Sequence, residues 1–164
     1  MKKKIFVLFL ILIPGIILDQ ITKWLTREYL AGKTIVIIKG VLELTLLKNT
    51  GAAWGSFSSN TTALIILTLV MTVAILLYYF KLPSKDNKRL IWLELCLGFI
   101  IAGAIGNMID RIYFKYVTDM IYFKLINFPV FNIADIYVTC ACFVMVILIL
   151  FYYKEEELQW KKNT

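Results

Sequence analysis

The chain has 164 residues, 60% hydrophobic and 18% charged, with a mean hydropathy of +0.78 and a formal net charge of +7. A soluble domain of this length cannot hide so much apolar surface in one core, so the solvent it calls for is a bilayer. Its basic residues flank apolar runs and build no basic face, which excludes nucleic acid as a partner, and the absence of histidine excludes Ser-His-Asp, Cys-His and HExxH chemistry.

Crossing about 30 Å of hydrocarbon takes roughly 20 helical residues, and four stretches qualify. The first runs from about Ile5 to Leu25. Its basic start and apolar run, MKKKIFVLFLILIPG, also describe a secretory signal peptide, but no small-residue cleavage site follows. The run leads straight into Asp19-Gln20-Ile21-Thr22-Lys23, so it reads as a retained helix. An outer loop over about 26–60 holds two β-like runs, Thr34 to Ile38 and Leu42 to Leu47, split by Lys39-Gly40, which predicts a small extracytoplasmic sheet resting on the membrane or gripping something apolar. The other spans are about 61–80, 90–109 and 131–153, with a second outer loop over 110–130. The expectation is an all-α membrane protein with one small sheet, a single polytopic domain over 1–164.

Ten Lys and Arg residues fall in the tails and the short turn between the second and third spans, and eight are spread over the two long loops. The denser set predicts both termini in the cytoplasm. Asp19, Asp110, Asp119 and Asp135 then share the outer boundary, while Asp86 lies in the inner turn. Acids at membrane depth are costly and face protein or a wet cavity, which makes them functional candidates. Asn107, Asp110 and Arg111 share a helical face, as do Asn132 and Asp135. Asp19 and Lys23, at i and i+4, read either as an anchoring ion pair or as part of a site. Gly98, Ala102 and Gly106 form a small-residue stripe for helix packing. Trp24, Trp54, Tyr113, Phe114, Tyr122 and Phe123 suit the interface. Cys96, Cys140 and Cys142 all lie in spans without CxxC spacing, so neither a disulfide framework nor a redox pair is expected.

Ser56, Ser58 and Ser59 near Lys48 read as a turn more readily than as a serine-lysine dyad. No carboxylate set has diagnostic metal-ligand spacing, so no metal or cofactor is expected. Paired carboxylates remain: one acid keeps a proton while the other accepts one from water, which hydrolyses an amide without a covalent intermediate. Asp119 and Asp135 are the choice, with Asp135 in the first turns of the fourth helix and Asp119 on a loop able to fold over its mouth. The sequence does not say which carries the proton.

Five blocks occur in order: Asp19-Gln20-Ile21-Thr22-Lys23, Asn49-Thr50-Gly51-Ala52-Ala53-Trp54-Gly55, Gly106-Asn107-Met108-Ile109-Asp110-Arg111, Val117-Thr118-Asp119 and Phe131-Asn132-Ile133-Ala134-Asp135. Together with the length and the four spans, they make the chain resemble the lipoprotein signal peptidases, the type II signal peptidases of bacteria. The resemblance implies an aspartic endopeptidase of the cytoplasmic membrane. It would cut prolipoproteins just before the diacylglyceryl-modified cysteine, at the outer face, as a monomer in membrane lipid. The family's catalytic aspartates fall on Asp119 and Asp135. Asp19, Asn49, Gly51, Asn107, Asp110, Arg111, Asn132 and Ala134 match positions that shape the site or hold substrate and the antibiotic globomycin, and Lys23 goes with them. Met120 replaces a common aromatic, and Ala102-Gly103 a usual double glycine, which puts only local packing in doubt. An apolar groove between helices would hold the acyl chains. A proton- or ion-coupled transporter is the main rival, and a non-catalytic assembly factor the second.

Overall fold

The computed structural model describes residues 2–51, 60–83, 88–154 and 157. Ser56, Ser58, Ser59, Trp54, Asp86 and the basic residues Lys85, Lys161 and Lys162 lie outside them. Four helices among the described residues are long and apolar enough to cross a membrane. They are α1 (Lys2–Tyr29), α2 (Thr61–Lys81), α3 (Ile91–Phe114, entered through a 3-10 turn at Lys88–Leu90) and α4 (Ile133–Ile147, continued by a π turn at Leu148–Tyr152).

The helix α3 is the most buried of the four and packs against the other three. The small-residue stripe explains how α1 comes so close to it. Built Cβ atoms on Gly98 and Gly106 would stand 2.8 Å from Ile11 Cδ1 and 2.5 Å from Asp19 Oδ2, and Gly15 meets Ala102 between them. Residues 11, 15 and 19 of α1 thus run in step with 98, 102 and 106 of α3, and the last pair delivers a carboxylate to the end of the interface. Gly103 does the same toward α4, where an added Cβ would be 2.5 Å from the Ala134 carbonyl oxygen.

Connectivity puts the ends of α1 and α3 and the starts of α2 and α4 at one end of the bundle, beside an antiparallel sheet of order β1-β2-β3. The strands are β1 (Thr34–Ile38), β2 (Leu42–Asn49) and β3 (Val117–Phe123). The first two are the predicted runs. The third is a correction: Asp119 sits on a strand paired with β2, not on a free loop. The helices run on past the apolar stretches, α1 to Tyr29 and α3 to Phe114, so Asp110 and Arg111 lie on the last turns of α3, on the helical face expected for them. The partners of Arg27, Asp110 and Arg111 are protein groups, which lets both helices run on beyond the apolar stretch.

Candidate active site

Each site residue arrives on a regular element. Asp19, Lys23 and Arg27 follow one another at four-residue spacing on one face of α1. Asn107, Asp110 and Arg111 lie on the last turns of α3, Asn49 ends β2, Asp119 is central in β3, and Asn132 to Asp135 form the start of α4. The register between β2 and β3 shifts between Leu44 and Leu47, so β2 holds one residue more than its partner there. That bulge turns the following residues over and lets Asn49, opposite Val117, reach diagonally to Asp119.

Asn132 is the N-cap of α4, and with Asp135 it makes a reciprocal capping box. Its side-chain oxygen accepts from the Asp135 N–H at 3.0 Å, and its own backbone N–H donates to Asp135 Oδ2 at 3.1 Å. The same residue then turns outward: Asn132 Nδ2 donates to Asp119 Oδ1 at 2.6 Å and to Asn107 Oδ1 at 3.1 Å. Asn107 Nδ2 donates to Asp135 Oδ1 at 2.8 Å, and Asn49 Nδ2 to Asp119 Oδ2 at 2.9 Å. Three asparagines thus engage all four carboxylate oxygens of Asp119 and Asp135, two acids far apart in the chain.

A second ring of charge stands behind them. Lys23 Nζ is 2.9 Å from Asp19 Oδ2 and 3.9 Å from Asp110 Oδ2, and it donates to Asn107 Oδ1 at 2.8 Å. Asp19 Oδ1 accepts from the Ala134 N–H at 3.0 Å, tying α1 to the first turn of α4. Asp110 accepts from the Thr118 N–H at 2.8 Å, which fixes β3 one residue before Asp119. Arg27 lies 3.6 Å from Asp110, donates to Thr118 Oγ1 at 2.8 Å and stacks over Phe114 at 4.4 Å. The Asp19–Lys23 pair therefore belongs to the site's scaffold. Arg111 is aimed elsewhere than at Asp110: its Nη2 donates to the Gly51 carbonyl at 3.1 Å, and the Gly51 N–H in turn donates to Asn49 Oδ1 at 3.0 Å.

All eleven residues singled out from the sequence meet here, and the structure adds Gln20, Arg27 and Thr118. Gln20 donates to Asp19 and to the Gly106 carbonyl, both at 3.1 Å. Arg27 was findable, being the next four-residue step after Asp19 and Lys23. Thr118 gave no signal beyond its place beside Asp119.

Asp119 and Asp135, with Asn49, Asn107 and Arg111, line a cavity of about 570 Å³ whose other walls include Val117, Phe128 to Phe131, and Ile136 and Val138 to Cys140 of α4. Asp119 is 1% exposed, and burial, reinforced by the neighbouring Asp135 charge, pushes its carboxyl up to about 6 against the hydrogen bonds from Asn49 and Asn132. Among the described residues no three acidic or thiol groups converge as a metal site.

Comparison with known proteins decides what kind of site this is. The family model for signal peptidase (SPase) II matches residues 11–151. The chain belongs to the signal peptidase II family. Among its relatives, the lipoprotein signal peptidase of Clostridium tetani (strain Massachusetts / E88) is 39% identical over 157 residues, 93% of this chain and 96% of that one. The lipoprotein signal peptidase of Lactococcus lactis subsp. lactis (strain IL1403) is 42% identical over 141 residues, 85% and 91% of the two chains. A bacterial membrane enzyme solved at 2.3 Å resolution superposes with a TM-score of 0.77 and 28% identity, covering 100% of this chain and 94% of that one. A second, solved at 1.9 Å, gives 0.75 and 29%, covering 93% and 96%. This signal peptidase II family member is a multi-pass membrane peptidase.

Proposed function

We propose that this peptidase removes the signal peptide from diacylglyceryl-modified prolipoproteins, cleaving just before the lipidated cysteine, with Asp119 and Asp135 as its catalytic pair. The observation that carries the reading is Asn132, which caps the helix bearing one acid and hydrogen-bonds the other, so the two carboxyl groups are held together at the head of an accessible cavity.

Burial separates the two roles in this reading. Asp135 is partly exposed at the third position of α4 and lines the cavity, where water can reach it, so it is the base. Asp119 is buried and raised, so it keeps the shared proton. Asp19, Asp110, Asp119 and Asp135 face Lys23, Arg27 and Arg111, and one proton on the pair makes this cluster electrically neutral. Asp135 takes a proton from water as the oxygen attacks the scissile carbonyl, and Asp119 protonates the carbonyl oxygen. Collapse of the tetrahedral intermediate breaks the C–N bond, with the proton held by Asp135 passing to the leaving amine and the oxygen's proton returning to Asp119. Arg111 and the asparagines position these groups, and no covalent intermediate forms.

The substrate's lipid keeps its cleavage site at the membrane boundary, which matches a site near the helix ends. The membrane is the bacterial cytoplasmic one, with both termini inside, the sheet and the site at the outer face, and one chain supplying every group named. Lipidated prolipoprotein added to reconstituted protein tests the whole reading: a trimmed product from the unaltered chain, lost in both Asp119→Asn and Asp135→Asn, is the expected result. No product from the unaltered chain, or cleavage surviving either substitution, would overturn it.

A further inference from the structure

Arg27 lies outside the five sequence blocks, yet its side chain joins three elements beside the aspartates. It rises from the last turn of α1, four residues after Lys23, and is only 19% exposed. Its guanidinium stacks over Phe114 at the end of α3, its Nη1 donates to Thr118 Oγ1 of β3 at 2.8 Å, and the same nitrogen stands 3.6 Å from Asp110 Oδ1. Thr118 is fully buried and is held a second time, because its N–H donates to Asp110 Oδ2 at 2.8 Å. We propose that Arg27 is a positioning residue for peptide cleavage: with Asp110 it clamps Thr118 and so fixes where β3 presents the Asp119 carboxyl, a role that depends on the function proposed above.

The strand needs a hold at this point. Leu44 pairs with Ile121 but Leu47 with Asp119, so the register of β2 against β3 slips right beside Asp119, and ladder pairing alone is a poor ruler there. Two residues, Lys115 and Tyr116, join α3 to β3, and Lys115 turns the chain in the left-handed conformation at φ 66°. A small rotation in so short a turn would slide the strand along the helix end. Arg27 grips both sides of the turn, Phe114 before it and Thr118 after it. Successive side chains of a strand point to opposite faces, so the clamp works on the back of β3 while Asp119 faces the cavity and its Asn49 and Asn132 donors. Fixing the backbone at 118 thereby places the proton donor at 119 without touching it. A planar guanidinium suits the task, since it stacks on a ring and donates within its plane at once, which an ammonium does not.

A double-mutant cycle on the reconstituted full chain, with a lipidated prolipoprotein as substrate, tests the clamp. Arg27→Met removes the charge and the donor, and Thr118→Val keeps the β-branched volume and removes the acceptor. Each should lower kcat about tenfold with KM within about twofold, and the pair together should cost little more than either alone, because both break one clamp. The solvent deuterium isotope effect on kcat should rise in all three variants, since a misplaced donor makes proton transfer more limiting. A smaller folded fraction would scale the rate and leave that ratio alone. Amide exchange over residues 117–123 needs no substrate and should quicken several-fold in the variants. Losses that multiply, an unchanged isotope effect, or unchanged exchange in the strand would each overturn the clamp. An unaltered chain that cuts no lipidated substrate strikes the proposed function instead, and exchange then decides the clamp alone.

Discussion

Two clusters of buried charge sit near the two ends of the same bundle, and only one has the makings of an active site. At the end away from the sheet, Lys4 lies 3.5 Å from Glu94 and donates to the carbonyls of Tyr79 at 3.0 Å and Leu82 at 2.5 Å, while the Tyr79 hydroxyl donates back to the Lys4 carbonyl at 2.9 Å. There an ammonium meets the last carbonyls of α2, the place where a helix dipole favours a cation. At the sheet end, four carboxyl groups face three cations, asparagines take the place of backbone partners, and a cavity opens onto the surplus acid. Buried polarity that is balanced and closed holds helices together. Buried polarity that is one charge in excess and open can move a proton.

The largest effect expected from breaking that contrast is at the dyad. Asp119→Asn and Asp135→Asn each keep volume but remove the titrating group and turn one accepting oxygen into a donor facing an N–H, and kcat should fall by about 10³-fold or more in a prolipoprotein cleavage assay, with helical circular dichroism unchanged. Next is Asn132→Ala, which removes a helix cap and the donor to Asp119 together. Loss of about 10²-fold in kcat and about 1 kcal/mol of stability is expected, and the two readouts separate its roles.

The pH profile sharpens the comparison further. The fold raises Asp119 from its ordinary 3.8 to about 6, so it favours the protonated form. The sign follows: the stability this contributes is complete below about 4 and fades as pH rises through about 6. With Asp119 as the proposed proton donor, kcat/KM should decline on the alkaline side as the coupled pair loses its shared proton. Asn49→Ala removes a donor that favours the charged carboxylate, and its alkaline limb should move to higher pH with kcat lowered about tenfold. A limb that stays in place would show that Asn49 does not set the proton's affinity.

Much of this was legible in the residues. Four apolar runs gave four helices, and the polar residues interrupting them near one boundary converge as expected, since a buried acid in a membrane bundle has few places to go. The third strand was written in the sequence too, as Val117-Thr118-Asp119-Met120-Ile121-Tyr122-Phe123, yet a short β-like run beside a span cannot reveal its partner strand. The bulge in β2 leaves no local mark, because it is a property of pairing between residues about 70 apart. Hydropathy stops counting where Arg27 and Asp110 begin, whereas the helices continue as long as protein partners replace lipid.

The smallest effect on activity should come from Lys4→Met at the closed cluster, and its smallness is what gives it value. The substitution keeps the side chain's length and deletes the charge, so the Tyr79 and Leu82 carbonyls lose their donor and the bundle should lose about 1–3 kcal/mol, seen as a lower thermal midpoint in detergent. Activity at a permissive temperature should stay within about twofold, because the packed length of α1 and α3 separates Lys4 from the aspartates. If kcat instead fell tenfold in protein that is still folded, the two ends would be coupled through the stepwise contacts of Ile11, Gly15 and Asp19 with Gly98, Ala102 and Gly106. Division of labour between a structural and a chemical cluster would then give way to a single helix interface serving both.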